Sequence, residues 1–277
     1  MINKITYISD FFIEDFQGGA ELSDNVLIQF LKENNIEIEK IKCSKFDFNS
    51  TNTKSYIISN FVSLSEKNKN LLIKGEAPYI IIERDQKYVR SRNTVEYPDF
   101  IAPQSEVINR DFYAAASIVF CLTSKQMEIM NEHLNLNNLK NLGCTQFSIE
   151  QLKILSDNIN TQKNEKYVVI KGKRWDKAKA ICNQNGLQYD VLEKQDYEIF
   201  INNLSKYKGI VFFSHAFESC CRLLIEARIL NLSILTDNRN GCTYEDWFKE
   251  HKGRDLLDFV ENKTKETMMT IMEELLK

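Results

Sequence analysis

The segment GIVFFSHAFESCCRLLIEARIL (209–230) places a strand, a turn and a helix in direct succession. Its beginning, GIVFFS (209–214), carries an unbroken apolar run, which is typical of a strand covered on both faces. Its end, CCRLLIEARIL (220–230), repeats apolar residues at helical spacing. Because a strand that leads directly into a helix is the unit of a parallel sheet with right-handed crossovers, the segment predicts an α/β fold.

The same alternation of apolar runs and helical patterns extends along the whole chain. Besides 209–214, the predicted strands are 4–10, 36–43, 55–60, 78–84, 117–123, 139–145, 166–172, 187–193 and 233–237. Most of these runs are rich in Ile and Val, and helical patterns fill many of the gaps between them. Alternation of this length indicates parallel sheets, and the pattern restarts near residue 165.

A polar, Asn- and Lys-rich stretch (152–167) is interpreted as the linker between two domains. We therefore predict two Rossmann-like domains, 1–155 and 160–250, that face each other across a cleft. Residues 251–277 are predicted to form an amphipathic helix that packs back onto either domain. The length of 277 residues suits two domains of about 100–150 residues each.

Charge and cysteine content restrict the classes of function. The formal net charge is −3, so the chain lacks the polybasic signature of bulk nucleic-acid binding, although a local basic groove is compatible with it. Seven cysteines without a CxxC pair predict buried, reduced thiols rather than a zinc site or disulfides. The N-terminus lacks the layout of a signal peptide, and no apolar run approaches the ~20 residues that span a bilayer. The expected location is the cytoplasm.

The first motif is Gly18-Gly19, between the first predicted strand and a helix. Bare backbone at this position allows close approach to a ligand, and the N–H groups of a helix start attract anions. The alternative is a tight turn that needs positive φ. The GxGxxG fingerprint of dinucleotide binding is absent, which disfavours a dehydrogenase.

The second motif is a cluster of cations in VVIKGKRWDKAK (168–179). Lys171, Lys173, Arg174 and Lys177 follow a predicted strand, at the edge where open α/β sheets bind ligands. Arginine and lysine at this edge could pair with a diphosphate. The alternative is a solvated basic face.

The third motif is the pair Glu218 and Glu226 around the start of the helix in the first segment. Ser219 is the predicted N-cap. The backbone N–H groups of the first helical turn would then face the edge of the sheet where ligands bind. They belong to Cys220, Cys221 and Arg222. Eight helical positions separate the two glutamates by ~12 Å, which excludes a close acid–base dyad. The alternative for Glu226 is an ion pair with Arg222 one turn earlier.

Together these motifs resemble the GT-B glycosyltransferases of the large retaining family four. That family has GGAE after its first strand, a basic GR…K motif in its second domain, and an E-x7-E segment followed by a Gly loop. The counterparts here are GGAE (18–21), KGKRWDKAK (171–179), ESCCRLLIE (218–226) and DNRNGCTYED (237–246). The resemblance covers nearly the whole chain and is clearer in the second predicted domain.

The resemblance implies a role for each motif in binding a nucleotide-sugar, most commonly a UDP-sugar. Glu218 would bind the donor sugar and Glu226 the nucleotide ribose. The backbone N–H groups of the helix start would hold the diphosphate; these belong to residues Cys220, Cys221, Arg222 and Leu223. The cations would neutralise the leaving nucleoside diphosphate; these are Lys173 or Arg174, with Lys177.

Further implications of the resemblance concern the first domain and the mechanism. Gly18 and Gly19 would allow the first domain to approach the diphosphate, and Ser219 and Lys171 lie within the donor-binding motifs. His215 is interpreted either as a sugar contact or as a polar loop residue. Transfer would retain the anomeric configuration by a front-face mechanism, with no metal and no cofactor besides the nucleotide-sugar. The chain departs from the family in its short length, in KGKRWDK for the basic motif, and in the Cys220-Cys221 turn.

The acceptor is expected to bind the first domain, at the segment 80–113 that follows a predicted strand. Its candidate contacts are Glu83, Arg84, Asp85, Tyr88, Arg90 and Arg92, with Asp85 or Glu83 as a base near the attacking hydroxyl. The alternative is a solvated loop that caps the domain. The segment resembles glycosyltransferase-like proteins of large DNA phages, which implies hydroxymethylated DNA as an acceptor. The acidic overall charge fits a glycan or a small molecule equally well.

Two other classes of function compete with an active transferase. One is a degenerate member that binds a nucleotide or a glycan without turnover. The other is a metal-free sugar-nucleotide epimerase, which would convert a donor alone. The sequence leaves open the sugar, the base of the nucleotide, the acceptor and the oligomeric state.

Overall fold

The structure is a computed structural model that describes residues 4–51, 53, 55–75, 78–172 and 174–276. The chain forms two compact units. The first comprises Met1–Gln146 and Lys263–Lys277, and the second Phe147–Asn262. Each unit contains one parallel sheet, of six and four strands respectively, so the predicted α/β class is confirmed.

The sheet of the first unit has the strand order β2-β1-β3-β4-β5-β6. Its strands are β1 (Lys4–Ser9), β2 (Glu37–Lys42), β3 (Tyr56–Ile58), β4 (Tyr79–Ile82), β5 (Ile118–Cys121) and β6 (Leu139–Asn141). Its helices are α1 (Gly19–Glu33), α2 (Glu66–Lys74), α3 (Arg110–Ala114) and α4 (Ser124–Leu134). The chain order reverses between β1 and β3, and such a switch point is where open sheets bind ligands.

The sheet of the second unit has the strand order β10-β9-β7-β8, with its switch point between β7 and β9. Its strands are β7 (Tyr167–Ile170), β8 (Tyr189–Leu192), β9 (Gly209–Val211) and β10 (Ser233–Leu235). Its helices are α5 (Ile149–Asn158), α6 (Trp175–Gln184), α7 (Tyr197–Leu204), α8 (Arg222–Ile229) and α9 (Asp246–Glu250). Its core includes Val169, Val211 and Phe213, packed with Ala178 and Cys182 of α6.

The last helix, α10 (Gly253–Leu276), contributes to both units. Its part from Lys263 onward belongs to the first unit, where Thr267 Oγ1 donates to the Leu142 carbonyl (3.5 Å). Glu274 of the same part pairs with Lys140 Nζ at 3.1 Å. The prediction of a C-terminal helix that packs back is confirmed. Among the described residues, none of the helices combines the length and the apolar character needed to cross a membrane.

All ten predicted strands are confirmed in place, whereas the linker interpretation is wrong for much of its length. Residues 149–158 form α5, which Ser148 and Gln151 start with a reciprocal capping box. The helix packs on α7 of the second unit, where Asn158 Nδ2 donates to Asn202 Oδ1 (2.8 Å). The first compact unit accordingly ends at Gln146, whereas the sequence predicts a boundary at residue 155.

Candidate functional site

The turn between β9 and α8 lies at the carboxyl edge of the second sheet and holds Glu218 by its backbone. The Glu218 N–H donates to the Arg239 carbonyl, and the Glu218 carbonyl accepts from the Gly241 N–H, both at 2.8 Å. Glu218 and Asn240 thereby form a parallel bridge, while Glu218 as a residue is exposed. The structure therefore brings together the E-x7-E segment and the Gly loop that the sequence singled out separately.

The start of α8 differs from the predicted one. Cys221 is the N-cap and the helix begins at Arg222, so the prediction of Ser219 as N-cap is wrong. The bridge between Glu218 and Asn240 lies just before this start, in the turn that leads into the helix. The Leu224 N–H donates a hydrogen bond to the Cys221 carbonyl at 3.2 Å. The N–H groups of Cys220 and Cys221 consequently precede the helix instead of forming its first turn.

Glu226 lies two turns into α8 and is buried. Tyr197 OH donates to its Oε1 at 3.1 Å, and Arg222 Nε lies 3.9 Å from the same oxygen. The Arg222–Glu226 pair anticipated as an alternative is therefore present, though long. Burial raises the pKa of Glu226, and the cation of Arg222 opposes this effect only in part. The ribose-binding role of Glu226 stays a prediction.

The Arg222 side chain ties α8 to the beginning of α5. Its guanidinium lies 3.9 Å from the centre of the Phe147 ring, and Nη2 donates to Gln151 Oε1 at 2.9 Å. The same Gln151 oxygen accepts from the Ser148 N–H in the capping box. The side chain of Arg222 thus stabilises the second unit, whereas its predicted contribution to donor binding is through the backbone.

The predicted cations at the carboxyl edge of β7 are held in different ways. Lys171 is exposed and pairs with Glu193 at 2.5 Å. Arg174 is the N-cap of α6 in the left-handed region, with φ of 62°. Lys173 lies outside the described residues.

Lys177, on α6, lies beside the loop that follows β10. Its Nζ pairs with Asp237 Oδ2 at 3.0 Å and lies 4.1 Å from the centre of the Phe213 ring. Arg239 Nε is 3.6 Å from the same Asp237 oxygen. Two cations therefore converge on one carboxylate. Sequence reasoning missed Arg239, which lies in DNRNG two residues before the loop glycine.

Two buried polar atoms of this edge lack a hydrogen-bond partner among the described residues. They are Ser214 Oγ, after β9, and Asn240 Oδ1, in the residue bridged to Glu218. Such atoms are rare in folded proteins and commonly mark a place for water or a ligand. His215 follows Ser214 and is exposed. Sequence reasoning identified His215 but not these two atoms, because their burial depends on the tertiary fold.

The cysteines of this region are not poised for chemistry. Cys220, Cys221 and Cys242 are buried, and burial raises the pKa of Cys221 and Cys242. Because the thiolate is the reactive form, these thiols are poor nucleophiles. Within the described part of the chain, no group of three or more His, Cys, Asp or Glu side chains could hold a metal ion.

In the first unit, Gly18 and Gly19 begin α1 without positive φ, so the tight-turn alternative is wrong. A Cβ at Gly18 would overlap the carboxylate of Glu21, the last residue of the GGAE motif. Glu21 is buried, and this burial raises its pKa. A larger residue at Gly18 would therefore require the Glu21 carboxylate and the ring of Phe16 to move.

The residues directly after β4 correct the interpretation of an accessible acceptor edge. Glu83 is completely buried and accepts from Lys87 Nζ (3.1 Å), the Asp85 N–H (2.9 Å) and Tyr113 OH. Tyr88 is also completely buried. Arg84 is buried and donates from Nη1 to Asp24 Oδ1 and Ser59 Oγ, both at 2.5 Å. These side chains build the scaffold of the edge, because the strand they follow lies in the core.

Three of the predicted acceptor residues keep accessible side chains. Asp85 and Arg92 are paired at 3.6 Å, with 37% and 47% of their side chains exposed. Arg90 is 65% exposed. Both arginines line a pocket of the first unit. The alternative of a merely solvated loop is wrong for Tyr88 and Val89, which are completely buried.

Two units of parallel sheet and helices, each with a switch point, define the GT-B class of fold. Solved structures of this class resemble the chain over nearly its full length. The lipopolysaccharide outer core galactosyltransferase WaaB is 12% identical with a TM-score of 0.56, covering 99% of both chains. The UDP-GlcNAc 2-epimerase of Neisseria meningitidis is 12% identical with a TM-score of 0.54, covering 98% of this chain and 100% of its own.

A third similar structure is an alpha-glucosyltransferase in complex with UDP and a 13-mer DNA that contains an HMU base. It is 10% identical with a TM-score of 0.51 and covers 99% of both chains. No protein-family model matches the sequence, and a search of curated proteins found no match either. At such low identities the likeness is one of fold.

Proposed function

We propose that the chain is a glycosyltransferase that moves a sugar from a nucleotide-sugar, most commonly a UDP-sugar, to a hydroxyl acceptor. One observation carries the proposal: the bridge between Glu218 and Asn240 joins the E-x7-E turn to the Gly loop beside the switch point of the second sheet. An exposed carboxylate on a backbone held from both sides is suited to a fixed hydrogen bond with a sugar hydroxyl.

The cations beside this turn support binding of a diphosphate. As the bond to the sugar breaks, negative charge grows on the leaving nucleoside diphosphate, and positioned cations stabilise it. Lys177 and Arg239 both lie within 3.6 Å of Asp237. A bound diphosphate would compete with Asp237 for these two cations. Arg174 begins α6 at the same edge, and Lys171 is exposed nearby along the chain.

The mechanism proposed is metal-independent transfer with retention, in which the leaving phosphate helps to deprotonate the acceptor hydroxyl. Of the two candidate bases, Asp85 is the accessible one, with 37% of its side chain exposed, whereas Glu83 is completely buried. Hydroxymethylated phage DNA is the first acceptor to test, followed by a glycan or a small hydroxyl compound. Likeness in fold to a glucosyltransferase solved with DNA supports that order.

The experiment is transfer and donor hydrolysis by wild type, Glu218→Gln and Glu218→Ala, over a panel of UDP-sugars with EDTA present. Removing a group that binds the reacting sugar should lower turnover by about 100-fold or more. Glu165→Gln is the matched control, because Glu165 is also an exposed glutamate but lies before β7, at the opposite edge of the same sheet. Equal turnover in Glu218→Ala and wild type would refute the proposed role of Glu218.

An epimerase is the second candidate, because the epimerase structure resembles this chain nearly as well as the galactosyltransferase does. An epimerase would convert the nucleotide-sugar with no acceptor present, which product analysis by chromatography detects. A degenerate binding protein would show a thermal shift with UDP but no turnover of any donor. A folded protein that neither turns over nor binds any nucleotide-sugar would exclude the transferase, the epimerase and a degenerate nucleotide-binding protein.

A further inference from the structure

A pocket of about 500 Å³ lies in the first unit at the carboxyl ends of β3 and β4. Its walls come from the segment after β3, the first turns of α2, the segment after β4, and the residues before α3. The lining residues that matter for its chemistry are Phe61, Lys69, Lys87, Arg90, Arg92 and Asn109. Sequence reasoning identified only the two arginines, since the four other residues meet them only in the folded unit.

Two lysines form the inner part of this pocket. Lys69 and Lys87 have 9% and 2% of their side chains exposed. Their ammonium groups lie 5.7 and 5.2 Å from the centre of the Phe61 ring. Lys69 donates to Asn109 Oδ1 at 2.8 Å and pairs with Glu66, while Lys87 pairs with the buried Glu83. An ammonium group so little hydrated is a strong partner for an anion that reaches it.

Two arginines form the outer part and retain donors for a ligand. Arg90 Nε is 3.5 Å from Glu106, and Arg92 Nη1 is 3.6 Å from Asp85. Both distances exceed the roughly 2.7–2.9 Å of a strong charge-assisted hydrogen bond, and exposed pairs of this kind contribute little. A planar guanidinium that is weakly paired can bind two oxygens of a phosphate at once.

The charge that faces the pocket is positive, although each cation has a carboxylate nearby. Four cations and a single carboxylate, Glu66, belong to the lining. The three other pairing carboxylates, Glu83, Asp85 and Glu106, are not lining residues. A ligand within the pocket therefore meets three of the four cations before their partner carboxylates, and Lys69 together with Glu66.

The pocket is built in advance of binding. Val89 and Val107 form an antiparallel bridge, and the Arg90 N–H donates to the Glu106 carbonyl at 2.9 Å. Asn109 Nδ2 donates to the Lys87 carbonyl at 2.7 Å, which fixes the side that carries the inner lysine. Pre-organised walls reduce the entropy cost of binding, so that weakly paired cations can still give useful affinity.

We infer that this pocket binds a phosphate group of the acceptor, as a phosphate monoester or a phosphodiester. The identification of the ligand as an acceptor rests on the proposed transferase function. The affinity of the pocket for phosphate is independent of turnover. A volume of about 500 Å³ suits one sugar phosphate or one nucleotide unit. The acceptor is thereby narrowed from any hydroxyl compound to one that carries a phosphate close to the reacting hydroxyl.

The experiment is isothermal titration calorimetry with glucose 6-phosphate, with glucose, and with a short single-stranded oligodeoxynucleotide, each with and without saturating UDP. In Arg90→Gln/Arg92→Gln, the Kd for the phosphate probes should rise by about ten-fold or more for each arginine lost. Arg254→Gln is the matched control, since Arg254 is an exposed arginine of the second unit. Lys177→Gln should weaken the binding of UDP without changing the Kd for the phosphate probes.

Each outcome either supports or overturns the inference. Binding of glucose 6-phosphate but not of the oligonucleotide supports a small acceptor, and the reverse supports nucleic acid. Equal affinity for glucose and its phosphate, no binding of either phosphate probe, or an unchanged Kd in the double arginine variant overturns the inference. If phosphate binds as expected while no nucleotide-sugar is bound or turned over, the proposed function fails and the phosphate pocket stands.

Discussion

The carboxyl edges of the two sheets use their acidic residues in opposite ways. Glu83 directly follows β4 and is completely buried, with its carboxylate bonded to Lys87 and Tyr113. Glu218 lies beyond a turn after β9 and is exposed, and its backbone makes the bonds to the Gly loop. The Glu83 carboxylate stabilises the edge of the first sheet, whereas Glu218 is exposed at the edge of the second sheet. Position at the carboxyl edge is therefore insufficient to mark a ligand contact.

The difference separates stability from function. A buried, bonded carboxylate stabilises only while its partner remains, because a lone buried charge is very costly. An exposed carboxylate contributes little to stability and can be altered at small cost. Substitution of Glu83 should therefore act on folding, and substitution of Glu218 on ligand binding.

The largest expected effect is that of Glu83→Ala. It removes the partner of Lys87, whose side chain is 2% exposed, and should lower the free energy of unfolding by about 3–5 kcal/mol. Urea denaturation measures this change. The double variant Glu83→Gln/Lys87→Met should recover part of the loss, since it leaves no unpaired charge. A loss below about 1 kcal/mol in Glu83→Ala would show that the edge does not depend on this carboxylate.

An intermediate effect is expected of Glu226→Gln in the second unit. Because burial raises the pKa of Glu226 above its ordinary value of 4.5, the charged form costs stability once the pH rises through that range. Neutral glutamine avoids this cost of the charged form and should therefore raise the free energy of unfolding at neutral pH.

The same variant should lower the affinity for UDP by about ten-fold if Glu226 binds the ribose as proposed. Thermal melts with and without UDP measure both quantities. Glu198→Gln, at an exposed position of α7, is the control. Gain of stability with unchanged UDP affinity would reduce Glu226 to a structural residue.

The smallest effect concerns His133 of α4, which supports the first unit. Its Nε2 accepts from the Ala102 N–H at 2.9 Å, so its Nδ1 carries the proton and donates to the Ile129 carbonyl at 2.7 Å. Burial lowers the pKa of His133 below 6.5. The unfolded chain therefore binds a proton first as the pH falls, and stability is full above about pH 6.5 and lost below it.

Between about pH 7.5 and 5.5, this histidine should cost at most about 1.4 kcal/mol. Urea titrations at both pH values give, for wild type and for His133→Gln, the slope of the free energy of unfolding against pH. This slope should be smaller in His133→Gln. His251, in the second unit, gives the matched variant His251→Gln. If His133→Gln retains the full wild-type slope, the pH dependence arises elsewhere.

The sequence predicted the strands well because most of them are local apolar runs bounded by polar residues. It failed where long-range bonds decide. Ser219 is a residue type that favours the N-cap, but the N-cap is Cys221 and α8 begins at Arg222, after the bridge from Glu218 to Asn240. The polar stretch after residue 151 resembles a linker, although the capping box of α5 and its packing on α7 make much of it helical.

The candidate sites show the same limit of local patterns. Glu218 and Lys177 could be singled out because each follows a strand within a motif. Arg239 could not be assigned, because its approach to Asp237 depends on the course of the loop. The phosphate pocket was beyond prediction, since Lys69 and Asn109 meet only in the folded unit.

Because every cysteine is buried, the reactivity of each thiol reports how often the structure around it opens. The first unit holds Cys43, Cys121 and Cys144, and the second holds Cys182, Cys220, Cys221 and Cys242. A thiol reagent can modify these side chains only when the surrounding structure opens, since reaction needs an exposed thiolate. Mass spectrometry of the labelled peptides would then give separate opening rates for the two units in the unmodified protein. A single cysteine placed at exposed Ile149 would react at once and provide the reference rate.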